Sequence, residues 1–410
     1  AYTWPYGLEP IAGIQPIKYM LDIMKRKSKM QMRYKPFRFK RLSIYDNHNY
    51  TSNISNDYRN LINYNLKPVP SPIVLSGFNP KIVKHFKNYF KPLGFNIQVG
   101  GASTMNRGRV SNTLNPGDAV GIQIITGDVN AVSIGTVTHK VGNKVLLFGH
   151  PMLNRGSVDY PMTRAYVHWV FASRKLSWKL ASGTNVVGSV VQDRNPGVYG
   201  IIGRKAKKMI PINVSIKDSD GSKTYNYKIV RDPLVFPKFF SLLIGNSLFE
   251  KSNKVLSGTF KSVYEIKFRD NSTRKVYTVT LKDFVIGTQT VQIIKRIMAL
   301  VKPIQFLMYN WYSRIDILSV KAKIDVDNNF RVATIEKLRL LKNEAKPGDI
   351  IPLLVKLRPF RGDPVYKIIK VKVPLNFNEG VLTIFVASAK IESLAHQRFF
   401  KGYYSPTSIK

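Results

Sequence analysis

The chain has 410 residues, 44% hydrophobic and 11% aromatic, proportions that fit two or three folded domains and exclude a disordered polymer. It contains no cysteine, which excludes a disulfide scaffold, a thiolate zinc site and a cysteine nucleophile. The formal net charge of +40 indicates an acidic partner, such as anionic lipid or polysaccharide, an acidic protein or nucleic acid. A composition rich in Lys along the whole chain is the alternative explanation.

No run of about 18 apolar residues is present, so the sequence predicts no membrane-spanning helix. No secretory signal peptide is recognisable, and the opening residues "AYTWPYG" do not resemble a translation start. We therefore expect that further sequence precedes Ala1 in the natural protein.

Two helices and a strand are predicted within residues 1–100. The stretch "PIKYMLDIM" predicts a short helix, and residues 70–78 predict a strand. A second helix is expected after Asn79 as its cap, with Pro80 in the first turn and Gly94 as its end.

A basic segment, residues 25–41, lies between these helices and contains no acidic residue. Its cations are interleaved with Tyr34, Phe37 and Phe39, a pattern that could bind an acidic polymer or anionic headgroups by charge and aromatic contact. A solvated loop is the alternative. The candidate binding residues are Lys25, Arg26, Lys27, Lys29, Arg33, Lys35, Arg38, Lys40 and Arg41.

The pattern changes to short strands from residue 117 onward, with Val, Ile and Thr runs separated by Gly, Asn and Asp. Hairpin turns are predicted at 142–143, 218–222 and 270–271. Apolar spacing predicts helices over 237–253 and 290–301, and we expect the chain to change domain at Pro303.

Residues 304–410 predict about five strands, beginning with "RIDILSVKAKIDVD", at the spacing of an immunoglobulin-like β-sandwich. The Cys-Trp-Cys signature is missing, so the prediction concerns architecture only. The chain as a whole is predicted to be mainly β with a few helices.

The sequence contains no phosphate-binding loop, no dinucleotide fingerprint and no ligand set at metal spacing, so we expect no cofactor and no metal. Among six histidines, His150 stands directly after a strand-like run and Gly149. A strand end holds a side chain firmly while leaving it at a cleft, as a general base requires. A simple Gly-His-Pro turn is an equally good explanation from the residues alone.

The central region carries a family resemblance. The stretch "GDAVGIQIITGDVNAVSIGTVTHKVGNKVLLFGHPMLNRGSVDYPMT" and the following "KLASGTNVVGSVVQDRNPGVYGIIG" resemble the sporulation factor IV B peptidase family. These are serine peptidases of the chymotrypsin-like clan. "WPYGLEPIAGIQPIKYMLDIM" and "PVPSPIVLSGFNPKIVKHFKNYFKPLGF" also resemble segments of that family.

The resemblance implies a chymotrypsin-like double β-barrel, incomplete at its N-terminus. Residues 1–100 would hold the end of the nucleophile barrel, the basic loop and a strand-helix segment. Residues 101–303 would form the Gly-His peptidase barrel, and residues 304–410 the immunoglobulin-like sandwich.

The resemblance also implies that His150 is the catalytic base and that the serine lies in a Gly-Met-Ser-Gly-Ser-Pro stretch. That stretch is absent from the sequence and is expected just upstream of Ala1, together with the orienting aspartate. Ser157 is a poor substitute, since triads are assembled from separate loops. Asp159 is either a structural acid or the group that orients His150.

The expected function is therefore that of a serine endopeptidase in the bacterial periplasm or at the cell surface, inactive as this polypeptide alone. Its partner would be an N-terminal fragment of the same precursor that carries the serine. The alternative is an inactive pseudo-peptidase that acts as a basic binding or assembly component, with an acidic protein, lipid or polysaccharide as partner and nucleic acid less favoured.

Overall fold

The structure is a computed structural model that describes residues 2–4, 11–26, 67–68, 70–100, 113–172, 177–252, 257–299, 301–377, 380–388, 391 and 396. This part of the chain is mainly β, as the sequence predicts. None of its helices is long and apolar enough to cross a membrane.

The helices are α1 (Ile17–Lys25), α2 (Pro80–Phe90), α3 (Phe236–Ser252), α4 (Thr290–Ala299) and α5 (Val301–Met308). The strands of the N-terminal and central regions are β1 (Tyr2–Trp4), β2 (Ile11–Gly13), β3 (Lys67–Pro68), β4 (Ser71–Ser76), β5 (Phe95–Gly100), β6 (Ala119–Gly127), β7 (Asn130–Val141), β8 (Lys144–Leu147), β9 (Gly156–Phe171), β10 (Trp178–Arg194) and β11 (Gly197–Ile202). The remaining strands are β12 (Ile210–Asp218), β13 (Gly221–Ile229), β14 (Gly258–Asp270), β15 (Val276–Gly287), β16 (Ile315–Asp327), β17 (Ala333–Leu340), β18 (Ile350–Pro359) and β19 (Val365–Lys372).

Six strands of the central sheet close on themselves. The hydrogen-bonded order is β6, β9, β10, β11, β8 and β7, and β7 pairs again with β6, so that each strand has two antiparallel neighbours. We call these strands the six-stranded ring. Register shifts in β10, β6 and β7 mark the bulges by which sheets bend sharply enough to close.

Alternating residues of the ring face two different cores. Val145 and Leu147 of β8 belong to the main core, whereas Leu146 between them packs with Met20 and Ile23 of α1. This alternation is the period of a strand whose two faces are both covered. The amphipathic helix predicted at "PIKYMLDIM" thus covers the outside of the ring.

Glycine residues of the ring leave space for a large side chain on a neighbouring strand. Met162 of β9 is fully buried between Gly188 of β10 and Gly200 of β11, and a Cβ atom at either glycine would meet its side chain. Glycine at these positions therefore serves close packing rather than turn formation.

Strands β12 to β16 extend the same sheet from β6. Strand β16 pairs in parallel with β12 and antiparallel with β14. The sequence grouped the stretch that forms β16 with the C-terminal module, whereas the structure places it inside the large sheet. Spacing along the chain predicts where strands lie but not which strands they pair with, and this is why the grouping differs.

Helix α3 lies in the middle of the core, with residues buried all around its circumference. Its Phe239 contacts Phe90 of α2 at a ring-centroid distance of 4.7 Å. The sequence predicts that helical structure ends before Pro303, but the structure continues in a further helix at this residue. Helix α5 starts at Val301, so Pro303 falls in a first turn, where proline is tolerated.

Strands β17, β18 and β19 form a separate three-stranded antiparallel sheet. Ile351, Leu353 and Val355 of β18 are buried, as is Val373 just after β19. Partly buried residues up to Val386 pack against Ile351, Leu353 and Val373. The described part of the chain thus contains one large sheet and a small C-terminal sheet, alongside the short strands β1 to β3.

Closure of the ring predicts that Gly188→Ala is far more damaging than Gly183→Ala. A Cβ at Gly188 collides with the backbone of Ile201 and Ile202, so β10 and β11 must separate. At Gly183 the neighbours are side-chain atoms of Val132 and Thr163 at 3.0–3.2 Å, which can shift. We expect urea unfolding to report a loss of about 2–3 kcal/mol for Gly188→Ala and less than about 1 kcal/mol for the control. Equal losses would mean that the ring tolerates opening.

Candidate functional site

The loop from Phe148 to Arg155 connects β8 to β9 and contains His150. Its backbone is unusual, because Phe148 has a φ of 75° and Gly149 a φ of 73°, with Asn154 and Gly156 also at positive values. The N–H of Gly149 donates to the carbonyl of Leu147 at 2.9 Å, closing a three-residue turn around Phe148. Such a turn at positive φ is rare and strained, and costs about 1–3 kcal/mol at a bulky residue.

The side chain of Phe148 fits in its position because the residue that faces it is a glycine. Its ring lies where a Cβ at Gly135 of β7 would stand, and its N–H donates to the carbonyl of Thr136 at 3.0 Å. The Phe148 ring in turn contacts the imidazole of His150, at a centroid distance of 5.6 Å. The strained turn is thus stabilised by β7, and it sets the direction in which His150 leaves the strand.

His150 is partly buried, and its protonation can be deduced from its contacts. Nδ1 lies 2.9 Å from the carbonyl oxygen of Pro151. Because a carbonyl only accepts, Nδ1 carries the proton and Nε2 has the free lone pair in the neutral ring. Nε2 has no hydrogen-bond partner among the described residues, and burial lowers the pKa of His150, which favours this neutral form at pH 7.

Asp193 organises the rest of the loop. It is fully buried at the end of β10, and its carboxylate accepts the backbone N–H groups of Met152 and Leu153 at 2.8 Å and of Arg155 at 3.3 Å. The oxygens on the other side of the loop are also bound, since the hydroxyl of Ser71 donates to the carbonyl of Pro151 at 3.2 Å. His150 therefore precedes a clamped segment and not a free loop.

Asp232 links the same loop to the core helix. One carboxylate oxygen accepts the Nε of Arg155 at 3.0 Å and the hydroxyl of Tyr160 at 2.7 Å. The other oxygen accepts the N–H groups of Leu234 and Val235, just before α3 begins. Burial raises the pKa of Tyr160, so that its hydroxyl remains a donor.

The structure does not bring Asp159 to His150. Asp159 accepts the hydroxyl of Ser189 at 2.8 Å and faces Arg204 at 3.4 Å, and no hydrogen bond or ion pair between described residues joins it to the imidazole. In this arrangement the carbonyl of Pro151 holds His150. Ser157 lies in β9 opposite Gln192 and has no hydrogen bond to His150 either.

Most of the basic segment lies outside the described residues, namely Lys27, Lys29, Arg33, Lys35, Arg38, Lys40 and Arg41. Lys25 and Arg26, at the end of α1, are described and exposed, and Lys25 faces Asp22 at 3.3 Å. Within the described ranges no group of three or more His, Asp or Glu could hold a metal ion.

Sequence reasoning missed the two buried acids. Asp193 in "VVQDRNPG" looks like an ordinary turn residue, because its N–H partners are 38 to 41 positions away in sequence. Asp232 carried a usable signal, since Asp followed by Pro before an apolar run predicts a helix start. Its second role, toward Arg155 and Tyr160, had no signal in the sequence.

Comparisons with known proteins return no match, whether to family models, to curated proteins or to solved structures. The family therefore stays an expectation that depends on the sequence resemblance alone.

The hydrogen bonds from the loop to Asp193 predict that Asp193→Ala lowers the free energy of unfolding by an amount that depends on pH. The loss leaves the N–H groups of Met152 and Leu153 without acceptors, which should lower the free energy of unfolding by about 2–4 kcal/mol. Burial raises the pKa of Asp193 to about 6, although its N–H donors act in the opposite direction. The folded state therefore binds the proton more tightly than the unfolded state. The wild-type advantage should therefore shrink as the pH rises from about 4 to about 6.

Urea unfolding at several pH values measures this advantage, and hydrogen exchange at Met152 and Leu153 localises it to the loop. Asp325→Ala, at an exposed position of β16, is the matched control and should be near neutral. An advantage that grows with pH would show that the N–H donors outweigh burial at Asp193.

Proposed function

We propose that the chain is part of a serine endopeptidase of the sporulation factor IV B kind, working in the bacterial periplasm or at the cell surface. His150 is the general base, and the nucleophilic serine lies on an upstream segment of the same precursor. The observation that carries the proposal is the neutral imidazole at a strand end, with Nδ1 donating to Pro151 and Nε2 accepting nothing from the described residues.

The chemistry follows from this tautomer. A serine hydroxyl near Nε2 would transfer its proton to the imidazole as its oxygen attacks the scissile carbonyl, and the imidazolium would then protonate the leaving amine. In this proposal the serine lies on the upstream segment, and acyl transfer also requires oxyanion donors, so this polypeptide alone should be inactive.

The fold supports the proposal in part. The six-stranded ring fits one barrel of a chymotrypsin-like pair. The second barrel would come from the N-terminal fragment and the first residues of the chain, since β4 pairs with β7 of the ring, and β5 with β4, in the ring's own sheet. The small sheet of β17 to β19, in which one face of β18 is buried, fits part of an immunoglobulin-like sandwich.

Strain also favours a functional role over a simple turn. Phe148 adopts a backbone conformation that costs free energy, and both Gly135 and the carbonyl of Thr136 are arranged to hold it there. Strained conformations of this kind persist only where the surrounding structure holds them, and they cluster at active sites and ligand clamps.

The proposal predicts that His150→Ala, in the precursor form that includes the upstream segment, lowers kcat/KM on an unfolded protein substrate by about a thousandfold. His85→Ala, at an exposed position of α2, is the control and should leave activity unchanged. Covalent labelling of the precursor by a fluorophosphonate reports the activated serine directly. Labelling that survives His150→Ala at the wild-type rate would overturn the proposal.

The acid limb of the pH profile provides a second test. Because burial lowers the pKa of His150, the fall in kcat/KM on acidification should occur below pH 6.5. Protonation of His150 also destabilises the folded state as pH falls through this range, since the lowered pKa means that the folded protein binds the proton less tightly. An acid limb above pH 7 would assign catalysis to a different group.

A basic binding component is the second candidate, favoured by the net charge of +40 and by exposed Lys25 and Arg26. It predicts salt-sensitive retention on heparin that is lost on neutralising the cations of residues 25–41. Neutralising as many cations elsewhere is the control. Equal losses would show that only total charge matters.

A further inference from the structure

The distal half of the β9–β10 hairpin extends beyond the six-stranded ring. Residues 165–171 of β9 pair with residues 178–183 of β10, whereas β9 meets β6 only at positions 162–164. Ala181, with Val167 beside it, packs on Val132 and Val74, so the middle of the hairpin is anchored. The residues past this anchor form what we call the hairpin tip, Trp169–Phe171 and Trp178.

The hairpin tip exposes large apolar side chains. Trp169 is 65% exposed, Val170 56% and Phe171 41%. The rings of Phe171 and Trp178 stack on each other at a centroid distance of 4.4 Å, which gives the tip a defined shape. Exposed groups of this size close together are uncommon on a protein surface unless something contacts them.

Both faces of the tip are open. Successive residues of a strand project to opposite faces, and Trp169 and Val170 are both more than half exposed. A protein partner that docks on a sheet covers one face, whereas insertion into a fluid interface covers both. The exposure pattern therefore favours an interface that surrounds the tip.

The part of the hairpin between Asp159 and Asp193 carries charge of one sign, since its sequence contains no acidic residue and four cations, Arg164, Arg174, Lys175 and Lys179. Arg164 faces Asp118 at 3.7 Å and Lys179 donates to the hydroxyl of Thr136 at 2.8 Å. The cations proposed to meet the lipid are therefore Arg174 and Lys175, which stand between Phe171 and Trp178 in the sequence. Trp and Tyr rings beside Lys and Arg are the combination that anionic membrane surfaces bind, since the rings occupy the headgroup level and the cations meet the phosphates.

We propose that the tip of the β9–β10 hairpin is a membrane-surface anchor that inserts Trp169, Phe171 and Trp178 among the headgroups of anionic phospholipids. The anchor depends neither on residues 25–41 nor on the peptidase chemistry. It would hold the ring, and His150 with it, at a lipid surface by a rigid arm.

The test must report insertion of the tip, because a chain of charge +40 will adhere to any anionic vesicle. The chain has four tryptophans, which allows variants with one each. A Trp169-only form carries Trp4→Phe, Trp178→Phe and Trp311→Phe. A Trp311-only form is the control, since Trp311 is 49% exposed and lies outside the hairpin.

Both forms are mixed with vesicles of phosphatidylcholine and phosphatidylglycerol that include a brominated lipid. We expect the emission of Trp169 to shift to the blue and to be quenched, and that of Trp311 to remain unquenched. Trp169 emission unchanged in the vesicle-bound protein would overturn the proposal.

Charge is tested at Val170 with two matched variants. Val170→Glu should weaken binding to the anionic vesicles by about tenfold relative to Val170→Lys, because the carboxylate repels the headgroups at the same position. Equal affinities would overturn the choice of an anionic surface. A tip that instead causes self-association, seen as an oligomer lost in Trp169→Ser by light scattering, would also overturn it in favour of a protein contact.

Discussion

The double pairing of β6 is the constraint on which the central structure depends. Because β6 bonds to β7 on one edge and to β9 on the other, the six strands have no free edge between them, and no strand can shift register alone. The positions of small residues follow from this closure. Gly121, for example, lies against the side chains of Thr163 and Val132, with which an added Cβ would collide.

Two buried acids, Asp193 and Asp232, accept hydrogen bonds from the loop that contains His150. Asp193 accepts hydrogen bonds from the loop backbone, and Asp232 accepts them from both Arg155 and the backbone just before α3. Buried carboxylates are stabilising only when their partners are complete, and here each has two or more donors. Asp193, Arg155 and Asp232 therefore form a largely buried network of hydrogen bonds. It joins the loop to the ring and to the residues that precede the central helix.

Hydrogen bonds and close packing hold the side chains of both proposed sites in place. A general base must be aimed before its pKa matters, and the strained turn at Phe148, braced by Gly135, aims the imidazole. The hairpin tip is the outward continuation of the same strands, β9 and β10, that form the ring. A surface bound by the tip would thus have a fixed position relative to His150.

Local elements followed from the sequence with good accuracy. The predicted turn at 142–143 lies between β7 and β8, the turns at 218–222 and 270–271 lie at hairpins, and the central helix spans Phe236–Ser252. These features depend on residues close together in the chain, such as the Gly-Asn turn and the apolar spacing, so that periodicity and turn chemistry suffice.

By itself, the sequence determined a mainly β chain of strong positive charge with a histidine at a strand end. Only the tertiary structure decided that β16 enters the large sheet, that Asp193 clamps the loop after His150, and that Asp159 faces Ser189 and Arg204 instead of the imidazole. Each of these facts joins residues far apart in the chain, and strand pairing and buried hydrogen bonds leave no periodic trace in the sequence from which to infer them.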